Sequence, residues 1–478
     1  MKAPFSEHLI QEAPLMRSLI DKLSSHFDYV SILSTDSVGF ALRVSLRVKR
    51  LSQKTMTTER GHVVRLYRDR CYFEYAFNDF DPSDIQAKAD EILAAYRSQQ
   101  AVLEAAGVQP FETDCLADEP QELDVSFDTE RLPETENLSL LTERLNQLVK
   151  TGMKEGKQLV DLSLNAQSTH ISKLFQTKHR DLRQSYVYSE GSIVAVASDG
   201  TQTRVAYDGV ADRTGPELFG KTFEDKLHEV LSISEDLMRA DHVTPGTYDI
   251  ITAPDVTGLI AHEAFGHGVE MDMFVKRRAL GAEYLNQRVG SPLVTMHEGA
   301  NCAVNVTSYA FDDEGTLAGD VTEIDRGILK TGICDALSAL RLGVQPTGNG
   351  KRENFEHKVY TRMTNTVFDS GNDSLDDMIS SIQQGYLLRG IESGMEDPKH
   401  WGIQCIVSRG YEISNGKLTG KVIAPVVMTG YVPDLLKSVS MVSPDREVFG
   451  TGGCGKGHKE WVKVADGGPY LKARANLG

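Results

Sequence analysis

The run Leu259-Ile260-Ala261-His262-Glu263-Ala264-Phe265-Gly266-His267-Gly268-Val269-Glu270 restricts the backbone of this chain more sharply than any other stretch. Two imidazoles with a carboxylate beside them are what a hydrolytic zinc site needs. Imidazole nitrogens bind a borderline-soft cation, and the carboxylate can take a proton from activated water. In the familiar H-E-x-x-H spacing the histidines stand about 40° apart around a helix; at five residues the angle is about 140°, so an unbroken α-helix points His262 and His267 away from each other. If they are to meet, the backbone must depart from the ideal. Gly266 is where the helix can end or take up a π-bulge, either of which swings His267 back toward His262. With a regular helix they are two unrelated histidines.

A third ligand is needed as well, and the candidates are Cys454, Glu270, Asp272, Glu283 and Glu298. Cys454 is favoured because it sits in Gly450-Thr451-Gly452-Gly453-Cys454-Gly455-Lys456-Gly457-His458. Glycines on both sides let backbone approach a metal closely, and a thiol beside Lys456 and a cation is easily deprotonated. The same run satisfies G-x-G-x-x-G and nearly satisfies a phosphate-binding loop. Gly457, however, stands where that loop needs a hydroxyl, and no apolar helix follows, so nucleotide binding is disfavoured. Asp312-Asp313-Glu314-Gly315 and Asp369-Ser370-Gly371-Asn372-Asp373 lack the other ligands of a calcium loop and read as solvated turns. There is no G-x-S-x-G, so serine hydrolase chemistry has no positive support.

Charge narrows the partners. The chain of 478 residues carries 51 Lys+Arg against 68 Asp+Glu, a net −17, with no block of five basic residues. That disfavours a nucleic-acid partner, because there is little to release counterions from a phosphate backbone. The N-terminus leads into an amphipathic segment rather than an apolar core, so no signal peptide is expected. The uncharged stretch Val422 to Val432 is broken by Pro425 and Gly430 and falls well short of the ~18 apolar residues of a membrane span. A cytoplasmic protein is expected. Six cysteines (Cys71, Cys115, Cys302, Cys334, Cys405, Cys454) are scattered singly, which argues against disulfides; all but Cys454 read as small buried hydrophobes.

At roughly 100–200 residues per domain the length implies several units. Met16, Leu19, Ile20 and Leu23 mark one face of a helix, and Phe40 to Val48 alternate apolar and polar as a strand with one wet face. A second strand over Cys71 to Phe77 and a helix starting at Asp81-Pro82 follow, closing a first part over residues 1–110. Residues 107–136, acidic and aperiodic, read as a linker. The second part of the N-terminal half, 111–240, has a helix through Leu138 to Val149, strands near 157–164, 168–176, 184–197 and 201–208, and a helix from Phe223 to Leu237. From 241 to 478 short strand-like runs (248–252, 302–310, 357–363, 403–408, 420–428) indicate a β-rich domain, with helices expected around Leu259–His267 and Leu375–Leu388. The fold class is α+β: an N-terminal half of antiparallel sheets flanked by helices, and a β-rich C-terminal domain carrying the metal-site helix.

His262-Glu263-Ala264-Phe265-Gly266-His267-Gly268, Asp312-Asp313-Glu314-Gly315-Thr316, Arg362-Met363-Thr364-Asn365-Thr366 and Cys454-Gly455-Lys456 occur in that order. In these motifs the chain resembles the TldD/PmbA family of metallopeptidases, once called modulator of DNA gyrase, over essentially its whole length. The resemblance implies a cytoplasmic zinc peptidase with one Zn²⁺ per chain, held by His262, His267 and Cys454, and with Glu263 as the catalytic glutamate. It also implies a dimer whose internal cavity admits unfolded peptides and holds them largely through backbone hydrogen bonds. The dimer would be either a homodimer or a pair with a non-catalytic TldE/PmbA-type chain; having the motif, this chain is similar to the catalytic TldD type. The stretch after Cys454 is richer in charge than the family pattern, which points to a subfamily with its own substrate.

In that reading Glu263 takes the proton of the attacking water and passes one to the leaving amine. The oxyanion needs a further donor, for which His458 and backbone N–H groups near Gly453 and Gly455 are candidates. The rival is a non-catalytic interaction protein, a gyrase or toxin–antitoxin modulator. Its zinc would be structural and closed by a fourth protein ligand, and Glu263 would be dispensable.

Overall fold

Ser6 accepts a hydrogen bond from the Leu9 amide and so starts α1 (Glu7–Leu23), which buries Leu9, Ala13, Met16, Leu19, Ile20 and Leu23 on the expected face. The computed structural model describes residues 1–52, 58–456 and 460–478. From α1 the chain enters β1 (Tyr29–Ser45), turns into β2 (Lys49–Ser52), and continues through β3 (Glu59–Arg68), β4 (Cys71–Phe77) and α2 (Ile85–Ala105). The alternation expected from Phe40 to Val48 stops at Ser45. The amides of Arg47 and Val48 donate to the Ser45 hydroxyl, making a tight turn that leaves Leu46 and Val48 exposed.

Residues 107–136 are not a plain linker. Gln121–Ser126 form β5, which lies parallel to Arg180–Ser185 at a sheet edge. Its polar, part-exposed sequence gives no apolar stripe, so only the pairing identifies it. After α3 (Leu138–Glu155) come β6 (Leu159–Thr177), β7 (Arg180–Ser198), β8 (Thr203–Asp212) and α4 (Lys221–Met238). The two runs expected near 157–164 and 168–176 are one continuous β6. The polar residues between them are accommodated across the sheet, as where the Asn165 amide donates to Ser192 Oγ at 3.1 Å.

Both parts of the N-terminal half share one eight-stranded sheet, ordered β4-β3-β1-β6-β7-β5, with β2 on β1 and β8 on β7. Side-chain alternation splits its faces. Ile32, Phe40, Leu164 and Ile193 pack with the helices, whereas Leu33, Phe175, Leu182 and Tyr186 meet C-terminal residues such as Val306 and Phe311. Buried ion pairs join the halves: Arg65, which also pairs with Glu74 on the neighbouring strand, with Glu314, Arg352 with Glu74, and Lys173 with Asp313. The Asp312–Gly315 run, expected as a solvated turn, is therefore buried at this junction, because each acid has a cation or backbone amides to accept.

Glu74 sits between two guanidinium groups. Burial pushes its carboxyl up, but Arg65 and Arg352 outweigh that and bring it down to about 2. A folded-state value below the ordinary 4.5 means its stabilisation is complete above about pH 4.5 and is lost as pH falls toward 2. Glu74→Gln should lower stability by about 3 kcal/mol at neutral pH. Melting curves of the two proteins from pH 7 to pH 3 check this: the gap between them narrows only below about 4.5.

The C-terminal half begins with β9 (Gly246–Thr252), α5 (Pro254–Ile260) and α6 (Met271–Val275). Short strands follow: β10 (Met296–Glu298), β11 (Val321–Asp325), β12 (Ile328–Leu329), β13 (Gly350–Lys351), β14 (Tyr360–Thr361) and β15 (Asn365–Phe368). Then come β16 (Gln384–Asp397), β17 (Gly402–Ser414), β18 (Lys417–Ile423), β19 (Val426–Tyr431), β20 (Met441–Val442), β21 (Glu447–Phe449), β22 (Gly453–Lys456), β23 (Glu460–Lys463), β24 (Ala465–Gly468) and β25 (Leu471–Leu477). One sheet runs β16-β9-β25-β19-β17-β18, and because β16 also pairs with β17, five of its strands close on themselves. A second runs β12-β11-β10-β15-β24-β21. The β-rich α+β reading holds, with local differences. Residues 302–310 make turns, since the Asn305 and Asn365 side chains capture nearby backbone groups. The helix expected over Leu375–Leu388 ends at Ser380, and β16 starts at Gln384. No described helix is long and apolar enough to cross a membrane. All six cysteines are free; Cys334 and Cys405 are buried as expected, but Cys115 is exposed.

Candidate metal centre

Pro254 sits in the first turn of α5, where a missing N–H costs nothing, and α5 lies in the core between β24 and β16. At Ala261 the helix widens into a single π-helical turn, Ala261–Gly266, followed by one 3₁₀ turn, His267–Val269. The His267 amide donates to the His262 carbonyl, an i to i+5 bond that stacks residues five apart. The two imidazoles thereby come to the same side, ring centres 5.1 Å apart and nearly perpendicular. Gly266 serves space rather than backbone freedom. Its φ is helical, and a Cβ there would lie 2.1 Å from Met363 Sδ.

Cys454 arrives from β22, which forms a hairpin with β23 in which Cys454 pairs with Val462. Arg362, fully buried, fixes this hairpin by donating to the Cys454 carbonyl at 2.6 Å and the Glu460 carbonyl at 3.0 Å. Cys454 Sγ stands 3.3 Å from His267 Nε2, and one ligand atom from each of His262, His267 and Cys454 lies within 4.8 Å of the others. Burial raises the Cys454 thiol, but His267 and then His262 outweigh it and hold the sulfur near 4, so it is a thiolate at neutral pH. His267 is likewise depressed by burial, yet the thiolate and Glu270 lift it well above its ordinary value. His262 Nδ1 is buried without a partner. A thiolate and two imidazoles converging in a buried pocket are a donor set suited to a borderline-soft cation.

The other ligand candidates lie elsewhere. Glu270 Oε2 is 3.2 Å from His267 Nδ1 and 3.0 Å from Lys456 Nζ, so it stands behind the histidine. Burial raises its carboxyl, but Lys456, His267 and Arg362 bring it down to about 2. Asp272 binds Lys456 and Lys276, which leaves Lys456 engaged with carboxylates rather than the thiolate or any phosphate. Glu298 accepts from Thr364, Thr366 and Asn349, and Glu283 is exposed.

Glu263 faces the same cavity, of about 950 Å³, as the three converging residues. Gly394 of β16 makes room for it: a Cβ there would lie 2.3 Å from Glu263 Cγ. Gly453 and Gly455 line the cavity too, beside the Trp461 indole, while His458 falls outside the described residues. Two cavity acids have no local motif and escape a reading of the sequence. Glu396 is pushed up to about 9 and Asp466 to about 7, in both cases chiefly by burial. Arg362 is different, since it lies in one of the quoted motifs.

Residues 245–474 match the family model described as PmbA/TldA metallopeptidase C-terminal domain. A Synechocystis metalloprotease is 25% identical over 467 residues, covering 95% of this chain and 96% of that one. The zinc metalloprotease TldD homolog of Saccharolobus solfataricus is 30% identical over 238 residues, 48% of this chain and 51% of its own length. The crystal structure of TldE from Thermococcus kodakarensis superposes with a TM-score of 0.75 at 18% identity, covering 97% of this chain and 100% of that one, which establishes a shared fold.

Proposed function

We propose that this chain, which belongs to the TldD/PmbA family, is a zinc-dependent peptidase acting on unfolded or extended peptides. The observation that supports this most is the convergence of His262, His267 and Cys454 beside Glu263 in one cavity. A zinc ion held by those three side chains would supply a Lewis acid that activates water and polarises the scissile carbonyl. Glu263 takes the proton of the attacking water and returns one to the leaving amine. Glu270 keeps His267 oriented by accepting from Nδ1, the outer contact that metal-binding histidines require. Donors to the oxyanion come from backbone N–H groups at Gly453 and Gly455 or from His458.

The substrate would bind by strand addition. Pairing of β16 with β9 ends at Leu388, and among the described residues no strand pairs with that edge from Ile391 to Asp397, where β16 lines the cavity. Backbone hydrogen bonds of that kind tolerate most sequences and need an unfolded chain. We place the protein in the cytoplasm as a dimer, with a second copy or with a TldE/PmbA-type partner. A structural zinc site would be closed by a fourth protein ligand, whereas the cluster among the described residues has three members.

The test is hydrolysis of casein or short peptides by purified protein before chelation, after it, and after zinc is restored. Cleavage should vanish and return; cleavage indifferent to chelation would contradict the reading. Glu270→Gln should weaken zinc binding by about 10- to 100-fold, read by competition with a chromophoric chelator.

A further inference from the structure

The carboxyl group of Glu396 has nothing to bind. Both of its oxygens are buried without a hydrogen-bond partner, although it lines the same cavity as Glu263 and Cys454. Its Oε1 lies beside Gly268, the residue after His267: a Cβ on Gly268 would be 3.2 Å from that oxygen and 3.0 Å from Trp401 Nε1. Trp401 Nε1 is itself buried and unpartnered. Burial with no donor favours the neutral acid, and the carboxylate becomes the favourable form only when a cation or donor arrives. Of the cations lining the cavity, Lys456 is held by Glu270 and Asp272, Lys276 by Asp272 and His267 by Glu270 and Cys454, and Arg278 makes no hydrogen bond to Glu396.

The strand carrying Glu396 says where that cation comes from. Gly394 abuts the Glu263 side chain, and Glu396 is the next residue on the same face, about 7 Å further along β16. The strand then stops at Asp397, and Pro398, which also lines the cavity, begins the turn to β17. An extended peptide lying along this edge meets Glu396 where its pairing surface ends, one or two residues from Glu263. The positive group that every peptide can bring to such a place is its α-ammonium.

Building on the peptidase reading above, we propose that Glu396 is a specificity-determining residue that receives the substrate's N-terminal ammonium, so that one or two residues are hydrolysed from the N-terminus at a time. Paired with that ammonium, the carboxylate gains the charge-assisted hydrogen bonds it otherwise lacks, and Trp401 Nε1, on the same side of Gly268 as Oε1, is a further unpartnered donor.

The experiment uses one hexapeptide with a C-terminal fluorophore, with its N-terminus free or acetylated. Zinc-loaded wild type should release one or two N-terminal residues from the free peptide, seen by mass spectrometry, with kcat/KM about tenfold or more above the acetylated form. Glu396→Gln should abolish that discrimination. Equal cleavage of both forms at internal bonds, or a Glu396→Gln protein that still discriminates, would overturn the proposal. Fluorescence anisotropy on Glu263→Gln protein separates this from the peptidase reading. Free peptide should bind about tenfold or more tighter than acetylated, and Glu263→Gln/Glu396→Gln should bind both alike. If nothing is cleaved and this binding difference holds, the hydrolase reading fails and the ammonium site stands; equal binding sinks the site.

Discussion

Glu263→Gln should lose peptide hydrolysis by about three orders of magnitude while keeping its metal and its melting temperature. The amide fills the same space against Gly394, so the π-helical turn is not disturbed. What it lacks is a basic oxygen to take the proton of the attacking water. Single-turnover cleavage of a short peptide, beside metal content and a melting curve, reads the three quantities separately. Cleavage within tenfold of wild type would assign the base elsewhere, and among the cavity acids Asp466 would then be the first to examine.

Cys454→Ser should weaken zinc binding by at least about 100-fold, more than the loss of an outer contact such as Glu270, and hydrolysis should fall with it. A serine hydroxyl does not ionise at neutral pH, so the soft anionic donor beside His267 is gone. Arg362 holds the Cys454 backbone carbonyl, not its side chain, so the hairpin should keep its place. Zinc titration at pH 7.5 against a chelator of known affinity measures the loss. An affinity unchanged by the substitution would remove Cys454 from the donor set and return attention to carboxylates.

The run from Leu259 to Glu270 shows how far local sequence reaches. The spacing of His262 and His267 demanded a broken helical period next to Gly266, and the chain answers with a π-helical turn at that place. The reason for the glycine was not readable, because it lies in the Met363 side chain, distant in sequence. The strand from Cys71 to Phe77 was legible to its ends, whereas the apolar stripe from Phe40 marked only the last six residues of β1, which starts at Tyr29. β5 was not legible, since its pairing with Arg180–Ser185 rather than its own composition makes it a strand. Polar residues inside β6 looked like a break for the same reason: cross-strand partners satisfy them. At the site, Glu270 was visible only as a possible ligand, and its position behind His267 required the fold. Glu396 and Asp466 had no signal at all, because an unpaired carboxylate is recognised by what surrounds it.

Everything the site does as a peptidase depends on His262, His267 and Cys454 together holding a metal ion. Elemental mass spectrometry of protein purified freshly without chelator tests it most directly. About one zinc per chain is expected, in wild type and in Glu263→Gln alike. Protein that is folded, freshly prepared and free of any transition metal, and that takes up none when zinc is added, would contradict it.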